Sequence, residues 1–569
     1  MFDIPTTREE MNKLGIKQLD VILVSGDAFV DHPSFGTAII ARVLKDIANL
    51  KVGIICQPDW KTSKDITRLG EPKYFFGVTS GNMDSMVANY TASRRKRKTD
   101  EYTPNADFGK RPDRATIVYS NLIKQNFKGI PVILGGIEAS LRRISHYDWW
   151  QNKVKKSFLL DSKADLLVYG MGEKTILQVA DIFKNGGNID DCKKLRGVVF
   201  WKSKLPKNNF KYKSLPSFEE VSNSKEKYME MFKIFQNEND PLNSDGLIQK
   251  HDNRFVIQNP PQKYLTTKEM DMIYDLPYTK KVHPYYKKMG YVKALDTVKT
   301  SITSHRGCYG ECSFCAITLH QGRTIQSRSI ESILNEIKKM TADSSFNGII
   351  SDIGGPTANM YGHDCSKKIE HGACKNKRCI GIKTCNLLKP NHSKYIELLK
   401  KARKIKGIKK IFVASGIRLD LIFEDKIYGM DFLKELINHH ISGRMKIAPE
   451  HASKKVLNLM NKPDFSITEK FIETFKKLNK ESGKKQFFSA YIIAAHPGST
   501  LEDEKYLKKR LNKSFGFTPN QVQIFTPTPS TKSTTMYYTE KDPNTNKKIF
   551  VEKNEKKRKI HKEIVVKYN

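Results

Sequence analysis

Short apolar runs that end in Gly or Ser alternate with helical patterns along the first third of the chain. Five such runs lie within residues 1–185, namely "DVILVSG", "KVGIICQP", "YFFGVTSG", "IPVILGG" and "ADLLVYG". Runs of this length between turn residues are typical of buried strands, and helices between them are typical of a parallel sheet. The pattern predicts an α/β fold with a doubly wound sheet, similar to Rossmann or cobalamin-binding domains.

Polar residues follow the predicted strands of this first sheet. Ligands of doubly wound folds bind at the carboxyl ends of the strands, so these residues are expected to gather at one edge. They are Asp27, Asp31, His32, Ser80, Gly135, Glu138 and Glu173. The stretch contains no G-x-G-x-x-G and no G-x-x-x-x-G-K-[ST], so it indicates neither a dinucleotide nor a nucleoside triphosphate.

A second alternation of strands and helices begins at residue 296. Six strand-like runs occur at "VKTSITS", "NGIISDI", "KKIFVAS", "RMKIAPE", "QFFSAYII" and "QVQIFTP", with helical patterns between them. This order predicts an incomplete parallel barrel over residues 296–540, whose functional groups are expected at the carboxyl ends of the strands. Residues 186–295 lack periodicity and predict an irregular connector or arm, and residues 541–569 predict a basic C-terminal tail.

Three of the nine cysteines, at positions 308, 312 and 315, directly follow the first strand of the predicted barrel. Three thiolates at this spacing can face one metal centre and leave one coordination position open. Structural zinc prefers four ligands, whereas iron–sulfur clusters are held by cysteine thiolates. The spacing therefore favours a cluster, and a zinc knuckle completed by His305 or His320 is the alternative.

The segment "CYGECSFC" resembles the signature of radical S-adenosylmethionine (SAM) enzymes, C-x3-C-x-aromatic-C, with Phe314 in the aromatic position. Segments along nearly the whole chain resemble the YgiQ-type radical SAM proteins: "DHPSFG", "GGIEASLRRISHYDWW", "QNPPQKYLTTKEMD", "LPYTKKVHPYY", "DIGGPTANMYG", "VASGIRLDL", "KIAPEH" and "FTPTPSTKSTTMYYT". The resemblance implies a 4Fe–4S cluster on Cys308, Cys312 and Cys315, with SAM chelated to the open iron. It also implies reductive cleavage of SAM to a 5′-deoxyadenosyl radical, which abstracts hydrogen from a substrate.

The same resemblance implies SAM contacts from residues at the ends of the barrel strands, and it implies that Phe314 packs near the adenine. These residues are Gly354, Gly355, Ser415, Arg418 and Glu450. Relatives carry Gly-Gly-Glu where this chain has Gly-Gly-Pro356, so the SAM amino group is expected to contact backbone carbonyls. A turn glycine, a helix cap or a surface ion pair is the alternative for each residue.

Four further cysteines lie in a Lys-rich insertion at residues 363–392, at positions 365, 374, 379 and 385. They could close a zinc site or hold an auxiliary iron–sulfur cluster. Unmetallated or redox-active thiols are the alternative. The "DHPSFG" segment is similar to the Asp-x-His-x-x-Gly motif of cobalamin domains, but Asp31 and His32 are adjacent here. We therefore expect a cobalamin-like sheet without cobalamin.

The net charge of +38 can attract nucleic acid, although dispersed lysines can also serve only to solvate a surface. Charge concentrates at "SRRKRK" (residues 93–98) and near the C-terminus. The stretch "RRISHYDWW" would suit stacking with a nucleobase or a peptide, or packing between the two large domains. An RNA-modifying radical SAM enzyme is thus the first alternative function, and a non-catalytic, zinc-bound nucleic-acid-binding protein is the second.

No apolar run reaches the roughly 20 residues that a membrane span needs, and the N-terminal stretch lacks the pattern of a signal peptide. The sequence therefore predicts a cytoplasmic location and no membrane partner. The radical SAM resemblance implies further partners: an electron donor such as flavodoxin or ferredoxin, and a substrate that the sequence does not name.

Overall fold

A computed structural model describes residues 2–205, 210–516 and 522–566. The chain divides into two compact units. The first comprises Met1–Leu265 and Met272–Lys299, and the second comprises Thr266–Asp271 and Thr300–Asn569. Among the described residues, no helix combines the length and the apolar character needed to cross a membrane.

The first unit is built on a nine-stranded sheet. Its strands are β1 (Val21–Ser25), β2 (Val52–Cys56), β3 (Phe75–Thr79), β4 (Val132–Leu134), β7 (Leu166–Val168), β8 (Val198–Lys202), β9 (Tyr212–Ser214), β10 (Gly246–His251) and β11 (Arg254–Gln258), and a separate hairpin pairs β5 (His146–Asp148) with β6 (Lys153–Lys155). The spatial order is β2-β1-β3-β4-β7-β8-β11-β10-β9. The five predicted strand runs form the parallel part, so the doubly wound fold class is confirmed.

The helices of residues 8–298 lie before, between and after the strands of the first sheet, and the helix at 267–274 crosses the boundary between the two units. They are α1 (Arg8–Lys13), α2 (Gly36–Arg42), α3 (Ser85–Asn89), α4 (Ala115–Asn126), α5 (Gly136–Leu141), α6 (Phe158–Asp161), α7 (Glu173–Lys184), α8 (Ile189–Cys192), α9 (Phe218–Asn223), α10 (Lys225–Asn237), α11 (Thr267–Tyr274), α12 (Pro284–Lys287) and α13 (Ala294–Val298). Every residue of β1 and β2 is buried. Burial on both faces explains why these strands are continuous apolar runs.

The sheet of the first unit continues beyond residue 185, which differs from the irregular connector predicted over residues 186–295. Strands β8 to β11 extend it, and β8 pairs antiparallel with both β7 and β11. Their apolar pattern is weaker because they lie towards one edge, where β8 ends in exposed residues and β9 is partly exposed. Antiparallel strands with one solvated side do not produce the continuous apolar runs by which the other strands are recognised.

The second unit contains short parallel strand pairs in chain order. Its strands are β12 (Ser301–Thr303), β13 (His305–Arg306), β14 (Gln326–Ser327), β15 (Ile349–Ile350), β16 (Asp352–Gly354), β17 (Lys410–Ile411), β18 (Arg444–Glu450), β19 (Phe487–Ala494) and β20 (Val522–Ile524). The pairs β12–β16, β15–β17, β18–β19 and β19–β20 are parallel. One residue separates β15 from β16. Each of the six predicted runs therefore contains a strand.

Amphipathic helices lie between these strands. They are α14 (Ile317–Gln321), α15 (Ile330–Thr341), α16 (Ser366–His371), α17 (Ser393–Arg403), α18 (Leu419–Glu424), α19 (Gly429–Glu435), α20 (Lys454–Met460), α21 (Phe465–Glu481), α22 (Leu501–Phe515), α23 (Lys532–Thr539) and α24 (Glu555–Val565). The predicted basic tail contains α24, which packs against α22 and β20. It buries Arg558, His561 and Val565 at helical spacing, while its lysines cover the other faces.

Candidate active site

The cysteine triplet lies on a loop that leaves the carboxyl end of β12. After β12 the chain forms β13, which pairs antiparallel with β14, and the loop continues through Cys315 to α14. Gly307 begins the loop at a φ of +84°, where a Cβ atom would overlap the carbonyl oxygen of Thr324. The N–H of Cys308 donates to the carbonyl of Gly322 at 3.2 Å. The turn at Gly307 and the β13–β14 pair therefore fix the position of the Cys308 backbone.

The three thiols are partly buried and influence one another. Burial raises the pKa of Cys308 and raises that of Cys315 to about 12, and the neighbouring Cys312 adds to both shifts. The backbone N–H of Gly310 donates to Cys308 Sγ at 3.4 Å, and the Thr357 hydroxyl lies 3.5 Å from the same sulfur. Cys308 and Cys315 therefore keep their protons at neutral pH until a bound cationic centre displaces them.

Arg418 directs a guanidinium group at the triplet. Its Nη1 donates to Cys312 Sγ at 3.7 Å, while Nε and Nη2 donate to Asp420 at 2.9 and 2.5 Å. Asn359 holds the backbone of Arg418 on both sides, at 2.8 Å to the N–H and 2.9 Å to the carbonyl. Burial alone would raise the pKa of Asp420, but the adjacent guanidinium lowers it. The structure thus fixes a cation next to a sulfur.

Glu450 ends β18 close to the same loop. Its backbone has a φ of +65°, which is uncommon for a residue with a side chain and is often found at functional sites. Burial raises the pKa of its carboxyl, and the charges of Lys462 and Arg418 partly offset this. The Lys462 ammonium lies 3.9 Å from Glu450, and the Glu450 carboxylate adds to the raised pKa of Cys315. Glu450 is therefore a buried carboxylate within electrostatic range of the thiols.

The glycine pair lies at the end of the neighbouring strand, beside β12. Thr303 of β12 pairs with Gly354, and a Cβ atom on Gly355 would lie only 2.6 Å from the ring of His305. Ser415 donates its hydroxyl to Asp352, whose other oxygen accepts the N–H of Ser415 at 3.1 Å. The glycines permit close packing at the strand end, and the hydroxyl of Ser415 already has a protein partner.

Phe314 packs edge-on against His496, with ring centroids 6.4 Å apart. It also lies against the main apolar core of the second unit. Burial lowers the pKa of His496 to about 3, so this imidazole is neutral. The structure thus gives Phe314 a packing role within the unit, and its predicted proximity to an adenine ring stays a prediction.

The second cysteine group lies next to the triplet but is not arranged as a site for one ion. Cys365 belongs to a buried apolar cluster with Tyr309 and Ile380, and Cys308 and Cys379 pack against that cluster. Burial raises the pKa of Cys379 to about 12. In the part of the chain that the structure describes, no three or more Cys, His, Asp or Glu side chains are arranged to hold one metal ion as they stand, and this applies to the triplet as well as to the second group. A zinc site, which needs four ligands at roughly 2.0–2.3 Å, is therefore not supported.

Several residues that contact the predicted site were not recognised in the sequence. They are Asp352, Thr357, Asn359, Asp420 and Lys462. Four of them, all but Lys462, stand within five positions of a predicted residue, in "DIGGPTAN" and "GIRLD". Asn359 and Lys462 contact residues of other loops, and a local sequence pattern does not predict such contacts.

Comparison with known proteins gives matches along almost the whole chain. The "Radical SAM N-terminal" family matches residues 3–301, the "Radical SAM superfamily" matches residues 302–509, and a domain of unknown function, DUF3362, matches residues 520–569. A "UPF0313 protein" of Thermotoga neapolitana is 52% identical over 563 residues, covering 99% of this chain and 98% of that protein. A relative from Fusobacterium nucleatum is 51% identical with the same coverage.

Among solved structures, the cobalamin-dependent SAM radical enzyme OxsB, with aqua-cobalamin and SAM bound, aligns with a TM-score of 0.50 at 12% identity. The alignment covers 93% of this chain and 56% of that one, and it supports the fold alone. The radical SAM matches support an enzyme and leave the non-catalytic zinc-bound alternative without support. The resemblance noted in the sequence is confirmed, and the chain belongs to the UPF0313 family of radical S-adenosylmethionine enzymes.

Proposed function

We propose that this radical SAM enzyme holds a 4Fe–4S cluster on Cys308, Cys312 and Cys315, and binds SAM among the surrounding strand ends. The observation that carries the proposal is the loop itself. It holds three partly buried thiols at the carboxyl end of a strand, with the guanidinium of Arg418 donating to one of them. When bound, the cluster and SAM would supply a 5′-deoxyadenosyl radical that can abstract hydrogen from a substrate.

The residues around the loop fit a cluster in two respects. Thiolate sulfurs of a cluster are stabilised by hydrogen-bond donors, and Gly310 N–H and Arg418 supply donors to two different sulfurs. The apolar cluster formed by Tyr309, Met360 and Leu421 covers Cys308 and limits access of water. The donors lower the cost of holding a charged centre there, and the apolar cover keeps water from it.

The SAM-binding role proposed for each neighbouring residue depends on which hydrogen-bonding group it can present to SAM. Glu450 has a carboxylate whose nearest cation, Lys462, is 3.9 Å away, so it can accept a hydrogen bond from the SAM amino group or ribose. Gly354 and Gly355 are closely packed by Ser415 and His305, so they can offer SAM only backbone groups. Ser415 is engaged with Asp352, so these two side chains would act as a pair rather than separately.

Electron supply and the second cysteine group remain parts of the proposal. The radical reaction needs one electron per cleavage, which a flavodoxin or ferredoxin could deliver. Cys365, Cys374, Cys379 and Cys385 are all free thiols. If they hold an auxiliary iron–sulfur cluster, a variant that lacks the first cluster would keep roughly half of the iron.

Cobalamin is not part of the proposed function, because the residues of the first unit do not fit it. The crevice between the ends of β1 and β3 is where a doubly wound sheet binds a ligand. The buried side chain of Arg111 occupies it, bound to Asp27, Asp100 and the carbonyl of Ser80. A Cβ atom on Gly26 would already overlap that carbonyl.

The test is anaerobic reconstitution with iron and sulfide, followed by dithionite and SAM. We expect 5′-deoxyadenosine and methionine to form, and Cys312→Ala to abolish both products. Cys192→Ala, which removes a buried thiol at the end of α8 in the first unit, should keep wild-type iron content and cleavage. Wild-type cleavage by Cys312→Ala would contradict the proposed ligand set.

A further inference from the structure

The cationic run "SRRKRK" is held in a defined hairpin. Tyr90 pairs with Lys96 in an antiparallel bridge, and the N–H of Thr91 donates to the carbonyl of Arg95 at 2.8 Å. The N–H of Arg97 closes the structure on the carbonyl of Asn89 at 2.8 Å. We name residues 90–98 the basic hairpin. Its backbone bonds hold the cations in fixed positions, unlike those of a solvated tail.

Four cations of the basic hairpin are exposed, and three of these have no carboxylate partner among the described residues. Arg95, Lys96, Arg97 and Lys98 are all exposed. Arg97 directs Nε at the carbonyl oxygens of Val87 and Tyr90, at 3.1 and 3.2 Å. Within residues 2–205, 210–516 and 522–566, no carboxylate forms an ion pair with Arg95, Lys96 or Lys98. Elsewhere many lysines are paired, as Lys401 is with Glu397, so the hairpin is a locally uncompensated cationic surface.

Aromatic rings lie directly beside these cations. The rings of Tyr90 and Trp150 are 5.0 Å apart, and both are half-buried. Trp150 contacts the buried Trp149 at 4.7 Å, and the guanidinium of Arg94 lies 4.5 Å over Trp149. The base of the hairpin is therefore anchored on a tryptophan.

A second hairpin presents amide groups next to the same rings. The turn between β5 and β6 contains Trp150 and exposes Gln151 and Asn152, and Lys153 at the start of β6 is exposed as well. Amide side chains can donate to and accept from the edges of bases. The surface thus combines phosphate-binding cations, stacking rings and hydrogen-bonding amides.

We propose that the basic hairpin, together with Trp150 and the β5–β6 turn, binds single-stranded nucleic acid. The phosphates lie along Arg95, Lys96 and Lys98, and a base stacks on the Tyr90–Trp150 pair. Single strands offer both a charged backbone and unpaired ring faces, which is the combination that this surface matches. An anionic membrane offers charge without planar rings. The proposal concerns a partner and does not depend on the radical chemistry.

The experiment measures binding of the full-length protein to a fluorescein-labelled 20-nucleotide poly(U) RNA by anisotropy, over a range of salt concentrations. The test variant is Arg95→Glu/Lys96→Glu/Lys98→Glu. The matched control, Lys400→Glu/Lys401→Glu/Lys404→Glu, makes the same charge change on and just after α17 of the second unit. We expect the hairpin variant to bind at least about tenfold more weakly, with a salt slope reduced by about 2, and the control to change little.

A third variant separates stacking from charge. Trp150→Leu keeps every cation and should weaken binding by about fivefold or more without changing the salt slope. Three results would overturn the proposal: no salt-dependent RNA binding by the wild type, equal weakening of both triple variants, or an unchanged affinity in Trp150→Leu. Equal competition by phosphatidylserine vesicles would also overturn it in favour of a membrane partner. Thermal unfolding of each variant must match the wild type for the comparison to count.

Discussion

The polar groups at the carboxyl ends of the parallel strands differ between the two units in how far other residues of the chain pair with them. In the first unit, buried charges at the edge are matched within the chain, as Arg111 is with Asp27 at 2.8 Å and with Asp100 at 3.0 Å. In the second unit, the edge carries the partly buried thiols of the cysteine loop, whose hydrogen-bond partners are a backbone N–H, the Thr357 hydroxyl and one guanidinium. The fold places both sets at the carboxyl ends of strands, where ligands of such folds bind, but an ion pair matches the charges of the first set, whereas the thiols of the second are uncharged.

The fold determines where a site can lie, and the residues at that position determine what the site does. Parallel sheets direct strand ends to one edge whatever residues stand there. In the first unit Asp31 pairs with Arg42 and Asp27 with Arg111, so two of the carboxylates predicted to gather there bind arginines of the same unit. Because a polar group that is already paired gains little from a ligand, the first edge is expected to contribute stability and the second edge catalysis.

Arg111→Ala should give the largest effect on stability. It leaves Asp27 and Asp100 buried without their cation, and removal of one partner from a buried ion pair costs about 3–5 kcal/mol. Burial already raises the pKa of Asp27, and Arg111 opposes this shift. Hydrogen exchange of peptides that contain β1 and β3 should report the loss. The iron content of the reconstituted protein should stay at the wild-type value, because the cysteine loop belongs to the other unit.

Two controls make this prediction specific. Arg254→Ala removes an exposed arginine that lies 4.7 Å over the Trp201 ring in the same unit, and should cost less than about 1 kcal/mol. The triple variant Arg111→Met/Asp27→Asn/Asp100→Asn removes all three charges and should recover much of the lost protection. Wild-type protection in Arg111→Ala would mean that the first edge is not held together by its charges.

The sequence predicted the parts of this comparison that depend on local pattern. Continuous apolar runs such as "VILVS" identify strands buried on both faces, and the spacing of Cys308, Cys312 and Cys315 identifies a shared loop. It did not predict β8 to β11, whose edge positions weaken the apolar pattern. It also did not predict which polar residues at each edge bind one another, because Arg418 and Cys312 are 106 positions apart and meet only through folding.

The second unit also contains a buried carboxylate whose hydrogen-bond donors come from the same unit, that of Glu504. This buried carboxylate accepts from Ser499 and from the N–H of Ala495, both at 2.9 Å, and from His561 at 3.1 Å. Burial alone would raise its pKa, but hydrogen bonds from His451 and His561 lower it from 4.5 to about 2. A lowered folded-state pKa gives stability that is complete above pH 4.5 and is lost as the pH falls towards 2.

Glu504→Gln should therefore lower the free energy of unfolding of the second unit by about 3 kcal/mol at pH 7, the equivalent of the shift in pKa. The difference from wild type should shrink between pH 4.5 and 2. Denaturation with urea over this pH range measures both effects. The matched variant Glu397→Gln, on the exposed face of α17, should change stability by less than about 1 kcal/mol. A difference that does not depend on pH would contradict the electrostatic explanation.

Gly355→Ala tests how closely the open edge is packed. A new Cβ atom would lie 2.6 Å from the ring of His305, three residues before Cys308, so the ring and the start of the loop must move. We expect SAM cleavage to slow by about tenfold, which corresponds to about 1.4 kcal/mol in the barrier. Gly416→Ala is the matched control, because nothing lies within 4 Å of its Cβ position. Equal activity of the two variants would show that the glycine pair is not part of the site.

Arg418→Gln should have the smallest effect, a shift in the reduction potential of the proposed cluster, and the direction of this shift distinguishes two explanations. The guanidinium donates to Cys312 and places a positive charge beside the proposed cluster, so it should favour the reduced state. Its removal should lower the equilibrium constant for one-electron reduction by up to about tenfold, or about 59 mV. Asp420→Asn removes the negative partner of Arg418 and should shift the potential in the opposite direction. Potentials from redox titration followed by electron paramagnetic resonance separate the two.

Iron content, measured first, distinguishes a shifted potential from a cluster that fails to assemble. Arg403→Gln is the matched control, because that arginine pairs with Glu435 at 2.7 Å in a separate ion pair of the second unit, and its loss should leave the potential unchanged. Shifts of the same sign in Arg418→Gln and Asp420→Asn would mean that the pair acts only by positioning the loop. Opposite shifts would mean that the charges of Arg418 and Asp420 act on the potential of the cluster itself. The charges of the first unit, in contrast, are expected to affect only stability, as Arg111→Ala tests.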